Sequence, residues 1–246
     1  MNRILTAFFL FLFSIGQAQT ATEIIKKAED KLRGSNSKGT MTMTIERPTW
    51  SRDVSMKTWS RGTKFSMIYI TNPARDKGTV FLKKENEIYN YLPNIERTVK
   101  MPPSMMMQSW MGSDFTNDDL VQESSLVTDY THALNGTETI DGYETWKITL
   151  TPKPDAAVVW GKLVTYISKD EYLQLRTEFY DEESDLVNIM EGKEIKTLGG
   201  RVLPSKLIMT PVNDENQRTI LVYHDLEFEV EIPDGFFTTQ NMKRIH

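Results

Sequence analysis

The chain has 246 residues, no cysteine and only three histidines, with 29 lysines and arginines against 34 aspartates and glutamates. The absence of cysteine excludes thiol catalysis, thiolate metal sites and a lipidated N-terminal cysteine. The net charge of −5 argues against a general nucleic-acid binder.

The first eighteen residues have the plan of a secretory signal peptide. Arg3 supplies a positive charge, residues 4–15 form an apolar run, and residues 16–18 read as a small-residue cleavage site. The run is shorter than the roughly 20 residues that a membrane span needs. We therefore expect residues 1–18 to be removed and residues 19–246 to form one exported, soluble domain. A retained membrane anchor or a buried helix is the alternative.

A short helix followed by many strands is predicted for the rest of the chain. The helix covers residues 20–32, because Thr20 and Glu23 have the spacing of a capping box. Alternating apolar and polar residues then indicate strands over residues 41–99 and again over residues 130–230. The connections are too short for crossover helices, so the strands are expected to be antiparallel.

The fold class that follows is mainly β (α+β), with about eleven strands in one strongly curved antiparallel sheet. A flat open sheet of that width tends to curl, which favours an incomplete β-barrel. No linker or repeat separates the two runs of strands, so a single domain is expected. The tail over residues 236–245 is predicted to be a terminal helix.

The stretch from Lys100 to Leu120, called here the Met-rich segment, holds five of the thirteen methionines between Met101 and Met111. Two adjacent prolines at its start stop a strand from entering it, and its acidic end has the spacing of a second capping box. Methionine side chains are flexible and polarizable, which suits an apolar surface that adapts to varied ligands. A mobile lid is predicted, and a plug of ordinary core packing is the alternative.

No catalytic residue, cofactor or metal site is predicted. His132, His224 and His246 are far apart and lack ligand spacing. The acids over residues 114–119 fail the calcium-loop pattern, which requires glycine at position six and glutamate at position twelve. They are explained by helix capping. The protein is therefore expected not to be an enzyme.

A basic stretch lies between Arg47 and Lys100, where eleven lysines and arginines face five acids. Such a field can steer an anionic lipid head group or a protein partner. A solvated face without a partner is the alternative.

Several motifs together carry a resemblance to a known family. They include IERPTWSR (residues 45–52), NPARDKGTVFLK (residues 72–83) and SMMMQSWMGSDFTNDDL (residues 104–120). In these the chain resembles the bacterial outer-membrane lipoprotein-sorting proteins, as a LolA-like branch distant from the lipoprotein carrier itself. The resemblance extends from about residue 22 to the C-terminus and is densest in the first half.

The resemblance implies an incomplete barrel whose concave face is covered by helices around an apolar cavity for acyl chains. It also implies a monomeric periplasmic carrier that moves acylated lipoproteins or lipids toward the outer membrane. An accessory subunit that docks on an RND-type inner-membrane transporter through the basic stretch is the alternative function. The candidate ligand-lining residues, for which ordinary core packing is the alternative, are Met41, Met43, Ile45, Trp59, Met67, Met105, Met106, Trp110, Met111 and Phe115.

Overall fold

Thirteen antiparallel strands and one α-helix make up most of the computed structural model, which describes residues 19–122, 125–214 and 216–245. The elements are α1 (Ala21–Arg33), β1 (Asn36–Arg47), β2 (Trp50–Arg61), β3 (Phe65–Asn72), β4 (Val80–Lys84), β5 (Glu87–Leu92), β6 (Arg97–Met101), β7 (Tyr130–Ile140), β8 (Tyr143–Pro152), β9 (Lys162–Ser168), β10 (Gln174–Tyr180), β11 (Leu186–Leu198), β12 (Arg201–Pro211) and β13 (Arg218–Phe228). The predicted signal peptide lies outside the described residues.

All strands belong to one sheet in the order β6-β5-β4-β3-β2-β1-β13-β12-β11-β10-β9-β8-β7. Each strand pairs with the next strand in the chain, except that β6 does not pair with β7; β1 pairs with β13 and so joins the two predicted runs. The sheet is curved and does not close, because β6 and β7 stand at its two ends. The predicted curved antiparallel sheet is confirmed, with thirteen strands instead of about eleven.

Helix α1 begins as its capping box predicts. The Glu23 backbone N–H donates to Thr20 Oγ1 at 3.2 Å, and the Thr20 N–H donates to Glu23 Oε2 at 2.9 Å. The helix ends where Gly34 takes a positive φ of 67° and donates its N–H to the Asp30 carbonyl. Among the described residues, no helix is long and apolar enough to cross a membrane.

The two faces of the sheet bury different side chains. On the inner face, α1 and the Met-rich segment pack over strands from both halves of the sheet, and the buried residues form one large inner cluster. On the outer face of β2 to β5, a smaller outer cluster forms around Met67, Leu82 and Phe237. The C-terminal tail supplies Phe237 and Met242 to it. The predicted terminal helix is wrong, because only a three-residue 3₁₀ turn, Asn241–Lys243, forms in this tail.

Candidate functional site

Two adjoining cavities of about 180 and 210 Å³ lie between the inner face of the sheet, the end of α1, and Leu120 and Leu126. They share Leu120, Leu126, Leu221 and Tyr223 in their walls, and we refer to them together as the cavity. Leu32, 37% exposed, stands at its rim, so the cavity reaches the surface. Together the two parts reach the lower end of the range of about 300–1,000 Å³ that small-molecule sites occupy.

The deep walls of the cavity are apolar and aromatic. Met41 on β1 and Met56 on β2 are directly opposite in the register of the two strands, so they lie side by side in the wall of the first part. The second part is lined by aromatic side chains, among them Trp160 and Phe179, whose ring centroids are 5.1 Å apart. Such walls exclude water and favour an apolar ligand.

The mouth of the cavity is polar in comparison. Ser37, Ser60 and Ser66 are directly opposite one another on β1, β2 and β3, so their side chains share the inner face as one row. The Oγ atoms of Ser37 and Ser60 are 2.7 Å apart. Beside this row, Arg33 Nε lies 3.8 Å from Glu29 Oε1 at the end of α1. An apolar chain held in the cavity would therefore have its polar end at the serine row.

A partly buried carboxyl group, that of Asp119, lies in the wall of the second part. It accepts hydrogen bonds from Trp160 Nε1 at 2.9 Å and from the Thr116 N–H at 2.8 Å. Burial raises the pKa of the Asp119 carboxyl, and the bonds from Thr116 and Trp160 offset this only in part. Burial also raises the pKa of Tyr130, which lines the same part.

The residues that follow the Met-rich segment are tied to α1. Glu29 accepts hydrogen bonds from Ser125 Oγ at 3.2 Å and from the Val127 N–H at 3.2 Å. His132 Nε2 donates to the Leu126 carbonyl at 2.7 Å, and its Nδ1 lies 3.0 Å from an α1 hydroxyl. These bonds hold Leu126 over the cavity.

The Met-rich segment itself is fastened to the sheet by two arginines. Arg47 Nη1 and Nη2 contact both carboxylate oxygens of Asp114 at 3.1 and 3.0 Å. Thr219 Oγ1 on β13 donates to the same carboxylate at 2.6 Å. Arg52 donates to the Met111 carbonyl. Any movement of the segment would have to break these charge-assisted bonds, which are among the stronger hydrogen bonds in proteins.

The second predicted capping box is present. The Thr116 N–H donates to Asp119 Oδ2, and the Asp119 N–H donates to Thr116 Oγ1 at 3.1 Å. It precedes a short π-helical turn, Asp118–Gln122, and no longer helix. Among the described residues, no group of three or more histidine, aspartate and glutamate side chains is placed to hold a metal ion.

The structure brings some of the ten predicted lining residues together and separates others. Met41 and Phe115 border the cavity. Six others are buried in the inner cluster or packed against it: Met43, Ile45, Met105, Met106, Trp110 and Met111. Of these, Met106 also lines a separate groove on the far side of the Met-rich segment.

Trp59 and Met67 are placed differently. They border the cavity, but their side chains belong to the outer cluster. The Trp59 ring packs 5.3 Å from that of Phe236 in the C-terminal tail. A ligand in the cavity would therefore contact the backbone of these two residues, because their side chains lie on the other face of the sheet.

Other lining residues come from the second half of the chain and were not predicted. Leu221 and Tyr223 lie on β13, which pairs with β1, so they stand beside Met41 and Met43 in the sheet. Trp160 follows β8 and reaches the cavity from the opposite side. The alternation of apolar and polar residues in β13 indicates a strand. The sequence does not show that this strand pairs with β1.

The chain is similar to several known proteins. A family model whose description reads "Uncharacterized protein" matches residues 62–244. No curated protein matches. A DUF1329 family protein from Desulfovibrio piger superposes with a TM-score of 0.81 at 23% identity, covering 90% of this chain and 97% of that one.

Two further solved structures have the same fold. A putative outer membrane lipoprotein-sorting protein domain from Vibrio parahaemolyticus has a TM-score of 0.81 at 22% identity, covering 91% of this chain and 98% of that one. A LolA superfamily protein from Nitrosomonas europaea has a TM-score of 0.79 at 21% identity, covering 91% and 99%. The chain belongs to the family of the matching model, and it has the fold of the LolA superfamily protein and of the lipoprotein-sorting domain.

Proposed function

We propose that the protein is a periplasmic carrier that binds the acyl chains of lipoproteins or lipids in the cavity and transfers them toward the outer membrane. The observation that carries this proposal is an apolar cavity with a polar mouth on the inner face of the sheet. The likeness to a lipoprotein-sorting domain and a LolA superfamily protein supports it through the fold. No catalytic step is required.

Burial of an acyl chain supplies enough free energy for such a role. Each methylene group removed from water contributes about 0.8 kcal/mol. About ten buried methylenes would therefore contribute roughly 8 kcal/mol before the cost of association, which takes up a large part of that amount. What remains is a modest affinity, which suits reversible binding of one acyl chain.

The test is native mass spectrometry of the protein isolated from its own periplasm, with extraction of any bound lipid. We expect a mass increment that disappears on extraction and matches an acylated species. A Thr58→Trp variant should abolish it, because Thr58 lies on the inner face of β2 in the cavity wall.

The matched control is Thr40→Trp, an exposed position on the opposite face of β1. It should keep the bound lipid. Ligand-free protein from a native source, or equal lipid content in both variants, would contradict the proposal.

The alternative of a transporter subunit receives no support from the comparisons. Lys83, one of the lysines of the basic stretch that this alternative would use as its contact, is only 8% exposed on the inner face. It is therefore not available to a partner on the outer surface.

A further inference from the structure

The polar part of the cavity wall consists mostly of uncharged side chains that form hydrogen bonds. In the first part they are Ser37, Thr58, Ser60, Ser66 and Gln174. A hydroxyl group both donates and accepts hydrogen bonds, and a side-chain amide offers one acceptor oxygen and two N–H donors. These groups therefore complement an ester, an amide or a hydroxyl on a ligand, and they supply no charge to pair with an ion.

The serine row is the most regular part of this polar wall. Ser37, Ser60 and Ser66 lie on three neighbouring strands about 4.8 Å apart, so the row is roughly 10 Å wide. The Oγ atoms of Ser37 and Ser60 are 2.7 Å apart, so one hydroxyl donates to the other. The accepting hydroxyl keeps its own hydrogen for a further acceptor. A ligand carbonyl oxygen at the mouth is an acceptor of this kind.

The ionisable groups of the wall do not favour an anion. Of the described residues that line the two parts, three are acidic and one is basic: Glu29, Asp118, Asp119 and Arg33. Arg33 Nε lies 3.8 Å from Glu29 Oε1, so the charge of Arg33 is balanced within the protein at the mouth. A ligand carboxylate or phosphate held here would face more negative than positive charge.

The surroundings of Asp119 have the same preference deeper in the cavity. Burial raises the pKa of the Asp119 carboxyl although Thr116 and Trp160 both donate hydrogen bonds to it. The second part of the cavity thus disfavours the charged form of a carboxyl group that it already holds. A ligand carboxylate beside Asp119 would be disfavoured further, because like charges repel.

Lys83 does not alter this balance. It is directly opposite Ser66 on β4, but it lines the separate groove on the far side of the Met-rich segment. Lys83 is 8% exposed and has an interaction of its own within the protein. Among the described lining residues of the cavity, Arg33 thus stays the one cation.

We propose that the mouth of the cavity selects acyl chains that end in an uncharged, hydrogen-bonding group, such as an ester or an amide, and rejects an ionised carboxylate or phosphate at that position. This inference rests on the proposed carrier function, because it specifies the head group of that ligand. Acyl glycerides and the acylated cysteine of a lipoprotein share this chemistry.

A cationic head group fits the mouth less well. Asp118 and Asp119 line the second part, where the apolar end of the ligand would lie. The serine row is instead beside the Arg33–Glu29 pair. Arg33 would repel an ammonium group there, as Glu29 would repel a carboxylate.

The experiment compares four amphiphiles of one chain length by isothermal titration at neutral pH: a monoacylglycerol, an N-acyl-cysteine amide, a free fatty acid and an alkylamine. We expect the two uncharged probes to bind about tenfold tighter than the fatty acid and the alkylamine, because a buried charge without a partner loses its hydration. Either order between the two uncharged probes supports the inference. Tighter binding of the cysteine amide assigns a lipoprotein as the source of the ligand, and tighter binding of the monoacylglycerol assigns a free lipid.

Glu29→Gln tests the charge balance at the mouth. It removes the negative charge beside Arg33, so the fatty acid should bind about tenfold tighter, while the affinity for the monoacylglycerol should change by less than about twofold. The matched control is Asp30→Asn on the same helix, where the Asp30 side chain is exposed. It should leave the affinity for the fatty acid unchanged.

The double variant Ser60→Ala, Ser66→Ala tests the serine row. It should weaken both uncharged probes by about three- to tenfold, because a hydrogen bond contributes a modest free energy. The matched control is Ser55→Ala on the outer face of β2, where Ser55 Oγ lies 3.2 Å from Thr42 Oγ1. It should change neither affinity.

The outcomes separate this inference from the carrier function. Fatty acid that binds as tightly as the monoacylglycerol, with an affinity lost in Arg33→Gln, would make the mouth an anion site and overturn the inference while the carrier stands. Preferred binding of the alkylamine, or a Glu29→Gln variant with unchanged affinity for the fatty acid, would also overturn it. Full affinity of the double serine variant would do the same. Failure of all four probes to bind would refute the carrier itself.

Discussion

Replacement of Asp114 by alanine tests whether the Met-rich segment is fixed to the sheet by its charge pair. The Asp114 side chain is 7% exposed and that of Arg47 is 13% exposed, so water replaces the lost partner poorly. Removal of one member of a buried ion pair costs about 3–5 kcal/mol. Arg47 keeps its bond to the Gly112 carbonyl at 2.9 Å, so we expect the lower end, about 3 kcal/mol.

The assay is urea unfolding, with thermal unfolding as a second measure. For a chain of this size, a loss of about 3 kcal/mol lowers the melting temperature by roughly 6–12 °C. The matched control is Asp30→Ala, which breaks the exposed Lys26–Asp30 pair on α1. It should change stability by less than about 1 kcal/mol, because solvent screens such pairs.

The double variant Arg47→Met, Asp114→Leu provides a further check. It removes both charges, so it should be more stable than Asp114→Ala alone. If Asp114→Ala were no more destabilising than Asp30→Ala, the charge pair would not hold the segment, and our account of its anchoring would be wrong.

Three further predictions concern other parts of the fold. Thr20→Ala should destabilise the protein by about 1 kcal/mol in urea unfolding, because the Glu23 N–H loses its cap. Burial raises the pKa of Asp119 in the folded state, so the folded protein holds this proton more tightly than the unfolded chain does. The free energy of unfolding should therefore fall as pH rises from the ordinary aspartate pKa toward the folded-state pKa. Asp119→Asn should lack this slope in unfolding titrations across that range. Phe237→Ala should cost about 3–5 kcal/mol yet leave acyl binding within about twofold, since Phe237 belongs to the outer cluster; a large loss of binding would contradict that placement.

The local signals in the sequence predicted most of the fold. The Thr20 capping box, the strand alternation and the two prolines that end β6 all appear in the structure as expected. These features depend on neighbours within a few residues, so the chain alone determines them.

The face of the sheet on which the Trp59 and Met67 side chains lie was harder to predict, for a physical reason. Met56 faces inward, and Trp59 is three positions further along β2, which places it on the opposite face. In β3 almost every residue is buried, because the C-terminal tail covers the outer face. Alternation of polarity therefore gave no sign of which face was inner.

The cavity walls depended on contacts between distant parts of the chain. Tyr223 lines the cavity because β13 pairs with β1, nearly two hundred residues earlier. Trp160 does so because the sheet curves toward the Met-rich segment. Strand order and curvature are properties of the whole sheet, and no short motif specifies them.

The most direct test of the carrier is quenching of tryptophan fluorescence by a brominated acyl chain. The Trp160 indole lines the cavity, and the Trp59 indole packs in the outer cluster. We expect saturable quenching that falls sharply in Trp160→Phe and persists in Trp59→Phe. Absence of saturable quenching, or its loss in Trp59→Phe with retention in Trp160→Phe, would contradict an acyl chain in the cavity.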